Sequence, residues 1–282
     1  MTILKKALER AKKENKVEDR DLAPKVAKPP RPMLVPVEKK KIGRSEVCVD
    51  YCKTRVEPID NRIFKKNKII SLFKEYEITD QFSLLSTQVL NKLKEIGGNS
   101  LLITSANPCE GKTFVSINLG VSIAQQLDHT ALLVDADLRH PTLHHYDFAG
   151  DFFGVNVNKG LADYLLGNVE IPDLLLNPGI QKLTILPSGR PLPNSAELLA
   201  SPKMELLIEE MKDRYRTDRI VVFDSPAVLK CADPLILSNY VDGIVLVAEE
   251  ERTTADDIKK LMKLFQDKPM IGTVFNKAQN AG

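Results

Sequence analysis

A short polar turn follows the apolar run SLLI at residues 100–103 and leads into a stretch with helical character. The turn reads TSANPCEGKT and matches the end of the pattern G-x-x-x-x-G-K-[ST], with Ala106 at the position of the first glycine. In such a loop, backbone N–H groups and the helix dipole bind phosphate, the lysine reaches the β and γ oxygens, and the hydroxyl binds Mg²⁺. The turn predicts a nucleotide site formed by Asn107, Pro108, Cys109, Glu110, Gly111, Lys112, Thr113 and Phe114.

Three aspartates stand just past the ends of two other apolar runs. The segment ALLVDADLRHP contains Asp135 and Asp137, and the segment RIVVFDSPAV contains Asp224. In an open parallel α/β sheet, ligands bind at the carboxyl ends of the strands, and Mg²⁺ prefers carboxylate, phosphate and water oxygens. Each aspartate alone could equally be a helix cap or a turn residue. Together, at one sheet edge beside a phosphate loop, they predict a metal and phosphate site.

Composition and hydropathy are those of a globular protein without a spanning helix. The 282 residues are 43% apolar and 28% charged, which suits one large domain with extensions. No stretch approaches the roughly 20 apolar residues of a membrane span, and the N-terminus lacks a signal-peptide apolar region. The four cysteines show no paired metal-ligand spacing. We therefore expect a cytoplasmic protein with reduced thiols.

Charge is divided unevenly along the chain. Residues 1–70 contain 20 Lys or Arg and 10 Asp or Glu, a net charge of +10, whereas residues 71–282 contain 20 and 28, a net charge of −8. Residues 1–18 predict an amphipathic basic helix, which could dock on a partner, lie on an anionic membrane or remain solvated. Residues 19–66 are rich in Pro and Lys and predict a flexible linker. Because this arm lacks aromatic interleaving and a recognition motif, we expect no nucleic-acid binding.

Residues 67–282 alternate between helical and strand patterns. Apolar runs that predict strands begin near residues 100, 130, 182, 219, 243 and 271, with helical patterns between most of them. Strands alternating with helices form right-handed βαβ units and a mostly parallel sheet with helices on both faces. The predicted fold is an α/β domain of the P-loop NTPase type, preceded by a flexible basic extension.

The motifs resemble those of one enzyme family. SANPCEGKT, VDADLRHP and VVFDSP are similar to the Walker A, Walker A′ and Walker B motifs of bacterial tyrosine kinases, the CpsD/CapB group of exopolysaccharide and capsule synthesis. The resemblance runs from about Ile78 to Lys277 and includes GLADYLLGNVEI and LPSGRPLPNSAELLASPKM. The start ILKKALERAKKE, together with EGKTFVSINLGVSIA, is most similar to the branch associated with exosortase-linked polysaccharide clusters.

This resemblance implies roles for the matching residues in an ATP- and Mg²⁺-dependent kinase. Lys112 would neutralise the β- and γ-phosphates, and Thr113 would bind Mg²⁺. Asp135 and Asp137 would hold the ion, and one of them would position or deprotonate the tyrosine hydroxyl. Asp224 would complete the metal shell. Positioning and charge neutralisation suffice for phosphoryl transfer.

The resemblance also implies contacts outside the metal site. Arg139 would contact phosphate or another subunit, and Asn276 in the segment FNK would read the adenine ring. The expected partners are a protein tyrosine substrate and a membrane polysaccharide co-polymerase that determines chain length. The chain would then be cytoplasmic and peripheral to the inner membrane through that partner.

Two departures from the family pattern bear on assembly and substrate. Asp80, Ser83 and Ser86 stand where many relatives carry the intersubunit motif E-x-x-R-x-x-R, so we expect a monomer or a weak homo-oligomer. The segment FNKAQNAG carries no tyrosine cluster, so we expect any self-phosphorylation at Tyr51 and mainly another protein as substrate. The alternatives are a ParA- or MinD-like ATPase switch that does not phosphorylate tyrosine and an ATP-binding scaffold without turnover.

Overall fold

A computed structural model describes residues 54–73, 77–139, 148–167, 169–214 and 218–278. The predicted helix at 1–18, most of the predicted linker and Tyr51 lie outside these residues. The strands are β1 (Arg55–Val56), β2 (Ser100–Ser105), β3 (Thr130–Asp135), β4 (Leu176–Asn177), β5 (Leu183–Leu186), β6 (Arg219–Asp224), β7 (Gly243–Glu249) and β8 (Met270–Asn276). The α-helices are α1 (Asn61–Lys66), α2 (Glu77–Ile96), α3 (Lys112–Gln125), α4 (Leu161–Leu165), α5 (Ser195–Leu199), α6 (Pro202–Arg214), α7 (Asp233–Leu237) and α8 (Ala255–Leu264).

The strands form one sheet in the order β1-β4-β5-β3-β6-β2-β7-β8. The pairs from β5 to β8 are all parallel, whereas β4 pairs antiparallel with β5, and β1 runs parallel to β4. The central strands β2, β3 and β6 are buried almost throughout, as expected for parallel strands covered on both faces. The predicted mostly parallel α/β sheet is confirmed.

Two hydrophobic clusters lie on opposite faces of the sheet. Successive strand residues alternate between them, because strand side chains point to opposite faces. In β2, Leu101 and Ile103 belong to the cluster that includes α2 and α3, whereas Leu102 belongs to the cluster that includes α6 and α8. Packing on both faces therefore buries the strands whose carboxyl ends form the site.

The folded part begins earlier in the chain than the sequence pattern predicts. The strand β1 and the helix α1 lie within residues 19–66, the range assigned to a linker. Asp60 caps α1 by accepting a hydrogen bond from the Arg62 backbone N–H. Phe64 is only 2% exposed and packs edge-on against Phe153, with ring centroids 6.3 Å apart. A single buried aromatic side chain thus anchors a segment whose composition is that of a linker.

Between β5 and β6 the chain forms two successive helices. The helix α5 ends at Leu199, and α6 begins at Pro202. Proline is favoured in the first turn of a helix, because its missing N–H would have no intrahelical partner there.

Within the described ranges, no helix is both long enough and apolar enough to cross a bilayer.

Candidate active site

The phosphate loop connects β2 to α3 and ends at Gly111, the N-cap of α3. Gly111 has a φ of 94°, and a Cβ at this position would lie 1.9 Å from Asn276 Nδ2. Only glycine suits both the left-handed backbone and the close approach. Ala106, at the position of the first pattern glycine, is buried and does not have a positive φ, so its Cβ is tolerated. The loop has the conformation expected before an anion-binding helix N-terminus.

Asp135 and Asp224 lie side by side at the carboxyl ends of β3 and β6. They are paired in the parallel register, and their exposures are 2% and 3%. The Thr113 hydroxyl donates to Asp224 Oδ2 at 2.7 Å, and the Ser116 hydroxyl donates to Asp224 Oδ1 at 2.9 Å. Burial raises the pKa of Asp224, while Lys112 and the two hydroxyls oppose this shift. The first turn of α3 is therefore tied to the end of β6.

Asp135 has one carboxylate oxygen that the described residues leave unpaired. Its Oδ1 accepts a hydrogen bond from the Asp137 backbone N–H at 3.1 Å, whereas Oδ2 is buried without a hydrogen-bond partner. Burial, with the charges of Asp224 and Asp137, raises the pKa of Asp135 well above its usual range, and the nearby Ser188 hydroxyl and the Asp137 backbone N–H oppose this shift. A buried carboxylate oxygen without a donor is unfavourable unless a cation or proton approaches it. This oxygen fits a cation ligand.

Lys112 and Asp137 complete the charge cluster. The Lys112 side chain is 9% exposed at the first position of α3. Burial raises the pKa of Asp137 to about 6, opposed by Lys112 and reinforced by Asp224. Lys112 acts on Asp137 and Asp224, and Asp135 lies beside Asp224, so the cluster holds more carboxyl groups than cations, an imbalance that a divalent cation would offset.

The residues present fit Mg²⁺ shared with a nucleotide. Among the described residues, no group of three or more His, Cys, Asp or Glu side chains is placed to hold a metal unaided. Mg²⁺ is usually bound by one or two carboxylates, waters and substrate phosphates rather than by an all-protein cage. Thr113 and the buried carboxylates of Asp135 and Asp224 suit that mode of binding.

Arg139 has structural partners beside the charge cluster. Its Nε lies 3.1 Å from both carboxylate oxygens of Asp233 and donates to Ser195 Oγ at 2.9 Å. The Ser195 hydroxyl also donates to Asp233 at 2.6 Å, and Asp233 is fully buried. These contacts connect the segment after β3 to α5 and α7. The predicted phosphate or subunit contact of Arg139 stays a prediction.

Two other predicted binding residues contact the protein itself. Asn276 Nδ2 donates to the Glu110 carbonyl oxygen at 3.0 Å, which places the end of β8 against the phosphate loop. The Phe114 ring packs edge-on against Phe82 in α2, with centroids 5.8 Å apart. The Phe114 ring therefore supports α3, and an adenine contact by Asn276 remains a prediction.

Sequence reasoning missed Ser116 and Thr253. Ser116 lies one helical turn after Thr113, so helical periodicity could have placed both hydroxyls on the face toward Asp224. Thr253 Oγ1 donates to Glu110 Oε1 at 2.6 Å across 143 residues of sequence, and no local signal indicates this contact.

The three positions compared with the intersubunit motif differ in their environment. Asp80 and Ser83 are exposed on α2, whereas Ser86 is fully buried. The Ser86 hydroxyl donates to the Ser83 carbonyl oxygen at 2.9 Å and accepts from the Ser122 hydroxyl of α3 at 3.0 Å. Ser86 thus belongs to the α2–α3 contact rather than to the exposed surface of α2.

Comparisons with known proteins place the chain among tyrosine-protein kinases. It is similar to CpsD of Streptococcus agalactiae serotype III (strain NEM316), with 28% identity over 230 residues that cover 81% of this chain and 90% of CpsD. Its identity to tyrosine-protein kinase YwqD of Bacillus subtilis (strain 168) is 35% over 182 residues, which cover 64% of this chain and 73% of YwqD. The kinase domain of the Escherichia coli tyrosine kinase ETK superposes with a TM-score of 0.66 and 26% identity, over 81% of this chain and 92% of that domain. No family model matches the chain.

The fold is shared beyond these kinases. The septum site-determining protein MinD from Pyrococcus horikoshii OT3, solved with Mg-ADP, superposes with a TM-score of 0.52 and 24% identity, over 64% of this chain and 72% of that one. At this identity the likeness concerns the fold alone. The predicted P-loop NTPase fold and the resemblance to tyrosine kinases are both confirmed, whereas the ATPase-switch alternative has only the common fold in its favour.

Proposed function

Because this chain belongs to the family of bacterial tyrosine-protein kinases, we propose that it transfers the γ-phosphoryl group of ATP to a tyrosine hydroxyl of a protein. One relative, from Klebsiella pneumoniae, is named a putative tyrosine-protein kinase in the cps region, and we propose that the activity of this chain regulates exopolysaccharide synthesis or chain length. The observation that carries the proposal is the contact between the phosphate loop and the strand-end carboxylates, above all Thr113 with Asp224 at 2.7 Å.

The phosphate loop and Lys112 would bind the triphosphate. The backbone N–H groups at the start of α3 point toward an anion bound beyond the helix end, and the helix dipole adds positive charge. Lys112, at the first position of α3, would neutralise charge on the β- and γ-phosphates. Its position near Asp137 and Asp224 keeps the ammonium group inside the site when no phosphate is bound.

Thr113, Asp135 and Asp224 would hold the metal-bound nucleotide. When bound, Mg²⁺ supplies positive charge that neutralises the phosphates as the γ-phosphoryl group is transferred. The unpaired Asp135 Oδ2 is available as a ligand, directly or through water. Asp224 is fixed by two hydroxyl donors, so its orientation is set before the nucleotide arrives.

Asp137 is the side chain suited to accept the tyrosine proton. With its pKa raised to about 6, it is largely ionised at neutral pH and still a better proton acceptor than an ordinary aspartate. In this step the tyrosine oxygen forms a bond to the γ-phosphorus, and the bond from that phosphorus to the bridging oxygen breaks. The tyrosine proton passes to the Asp137 carboxylate, and ADP leaves with the bridging oxygen.

We also propose the setting in which this chemistry occurs. The chain would act in the cytoplasm at the inner face of the membrane, brought there by a polysaccharide co-polymerase that determines chain length. The family resemblance supports this partner. Tyr164 and Tyr240 are both partly buried in the folded part, which favours another protein, or a tyrosine outside the described residues, as the acceptor.

The test follows ADP and phosphotyrosine together. Purified chain would be incubated with Mg-ATP, with and without the cytoplasmic segment of a co-polymerase, and assayed for both products. Phosphotyrosine that depends on Lys112 and Asp137 is the expected result. Steady ADP release without phosphotyrosine on either protein would contradict the kinase proposal and favour the ATPase switch.

A further inference from the structure

A buried carboxylate lies within the phosphate loop itself. The Glu110 side chain is fully buried, although its loop is proposed to bind the anionic phosphates of ATP. A buried negative charge is strongly unfavourable unless hydrogen bonds or a positive charge offset it. In the part of the chain that the structure describes, Glu110 is held by hydrogen-bond donors rather than by an ammonium or guanidinium group. The conformation of the loop therefore depends on which groups donate these hydrogen bonds.

Two short hydrogen bonds stabilise the Glu110 carboxylate. The Asn107 backbone N–H donates to Oε2 at 2.8 Å, which closes the loop on itself. The Thr253 hydroxyl donates to Oε1 at 2.6 Å from the segment between β7 and α8. Hydrogen bonds to an ionised acceptor are shorter and stronger than neutral ones. Thr253 thus supplies one of the two short hydrogen bonds to the Glu110 carboxylate, and it does so from outside the loop.

The Thr253 hydroxyl is itself held in one orientation. The Glu249 backbone N–H donates to Thr253 Oγ1 at 2.8 Å, so the hydroxyl accepts one hydrogen bond and donates another. A threonine hydroxyl has a single proton, and here that proton is directed at Glu110. The hydroxyl therefore links the end of β7 to the phosphate loop.

Two further side chains hold the same part of the loop. Asn276 Nδ2 donates to the Glu110 carbonyl oxygen at 3.0 Å, and Lys277 Nζ donates to the Cys109 carbonyl oxygen at 2.9 Å. Both residues lie at the end of β8, the neighbour of β7 in the sheet. The conformation of the loop is thus set partly by strand ends distant in sequence.

We propose that Thr253 is a positioning residue for nucleotide binding, acting through Glu110 to keep the phosphate loop in its binding conformation. The inference rests on the proposed nucleotide site. Without the hydroxyl, Glu110 Oε1 would keep only the long 3.4 Å hydrogen bond from Asn107 Nδ2, and the other donors near it in the loop are the backbone amides required by phosphate. Glu110 would then compete with the nucleotide for the same N–H groups.

Calorimetric titration of the full chain with Mg-ADP tests this role. Thr253→Val should raise the Kd for ADP about 10- to 100-fold, the range expected when a hydrogen bond to a charged group is lost. Thr253→Ser keeps the hydroxyl and should stay within about threefold of wild type. In turnover assays, Thr253→Val should raise the KM for ATP and leave kcat at saturating ATP nearly unchanged.

Thr254→Val is the matched control. Thr254 caps α8 by accepting from the Asp257 backbone N–H at 3.1 Å, and its hydroxyl donates to Asp257 rather than to Glu110. Asp257 Oδ2 also accepts a long 3.4 Å hydrogen bond from Asn107 Nδ2 of the loop, and Thr254→Val leaves both of those groups in place. The same substitution at this neighbouring residue should lower the melting temperature through loss of the cap while the Kd for ADP stays near wild type. This pair separates a general loosening of the segment from an effect on the loop.

A double-mutant cycle tests the route through Glu110, and its Glu110→Gln arm can still be measured if Thr253→Val alone folds poorly. In a Glu110→Gln background no charge needs the hydroxyl, so adding Thr253→Val should change the Kd by less than about threefold. Wild-type ADP affinity in Thr253→Val would overturn the inference, as would equal weakening by Thr253→Ser or by Thr254→Val. If the ADP affinities follow the predicted pattern but no phosphotyrosine forms, the result would support the role of Thr253 and would contradict only the proposed kinase function.

Discussion

Replacing Asp137 by asparagine should stabilise the nucleotide-free protein and abolish its activity. The pKa of Asp137 is raised to about 6 from an ordinary value of 3.8, mainly by burial. Because the pKa of Asp137 is higher in the folded state than in the unfolded state, protonation of this carboxyl group stabilises the folded state. This stabilisation is lost as the pH rises from 3.8 toward 6. The full loss is about 3 kcal/mol, since each pKa unit corresponds to about 1.4 kcal/mol. Asparagine has no such loss.

The free energy of unfolding of the two proteins should therefore diverge with pH. Asp137→Asn should gain about 2.5 kcal/mol relative to wild type between about pH 4 and pH 8. Urea unfolding in the presence of a chelator, at several pH values, measures this difference. Asp267→Asn, at an exposed position after α8, is the control and should follow the wild-type pH profile.

Two results would refute this reasoning. Parallel pH profiles for wild type and Asp137→Asn would mean that Asp137 is not desolvated in the folded protein. A variant less stable than wild type at about pH 8 would mean that favourable contacts of the carboxylate outweigh burial and the Asp224 charge. Adding Mg-ADP should reverse the order of stability, because a ligand that needs the carboxylate stabilises wild type more.

Three further predictions concern the loop, the domain boundary and assembly. Gly111→Ala should cost about 1–3 kcal/mol of stability and weaken ADP binding, because Gly111 has a positive φ and the Asn276 amide lies close to it. The control Gly272→Ala, at a position with no neighbouring atom within 4 Å of an added Cβ, should cost under about 0.5 kcal/mol. Equal urea midpoints for the two variants would contradict this prediction. Phe64→Ala should lower the free energy of unfolding in urea by about 3–5 kcal/mol, whereas Arg62→Ala, at an exposed side chain, should change it little. A decrease below about 1 kcal/mol for Phe64→Ala would mean that α1 does not contribute to the folded domain. Light scattering of the ATP-bound protein should show a monomer or small oligomer, and a stable octamer at modest concentration would contradict that expectation.

The chemistry at the strand ends could be predicted because it depends on local order along the chain. An apolar run that ends in aspartate gives the position of Asp135 and Asp224 in a parallel sheet, and the pattern GKT gives the helix start at Lys112. The paired register of the two aspartates is an observation of the structure. These inferences need only the period of the strands and the polarity of their ends.

Contacts between distant segments could not be predicted in this way. Nothing near Phe64 in the sequence indicates that it reaches Phe153, and a Pro- and Lys-rich context argues for a linker. Likewise, the resemblance implied a phosphate or subunit contact for Arg139, which stays a prediction, whereas its partners Ser195 and Asp233 on α5 and α7 were visible only in the structure. Such pairs arise from tertiary packing, which a single sequence does not encode at short range.

The central claim is that this site transfers phosphate to tyrosine. The most direct measurement is mass-spectrometric mapping of phosphotyrosine on the purified chain and on an added co-polymerase segment after incubation with Mg-ATP, alongside ADP release. We predict phosphotyrosine with wild type and a loss of at least about a hundredfold with Lys112→Met, the scale of a lost electrostatic contact to the transferred group. Equal rates of ADP release by wild type and Lys112→Met would contradict the account. So would ADP release by wild type without phosphotyrosine on this chain or on the co-polymerase segment.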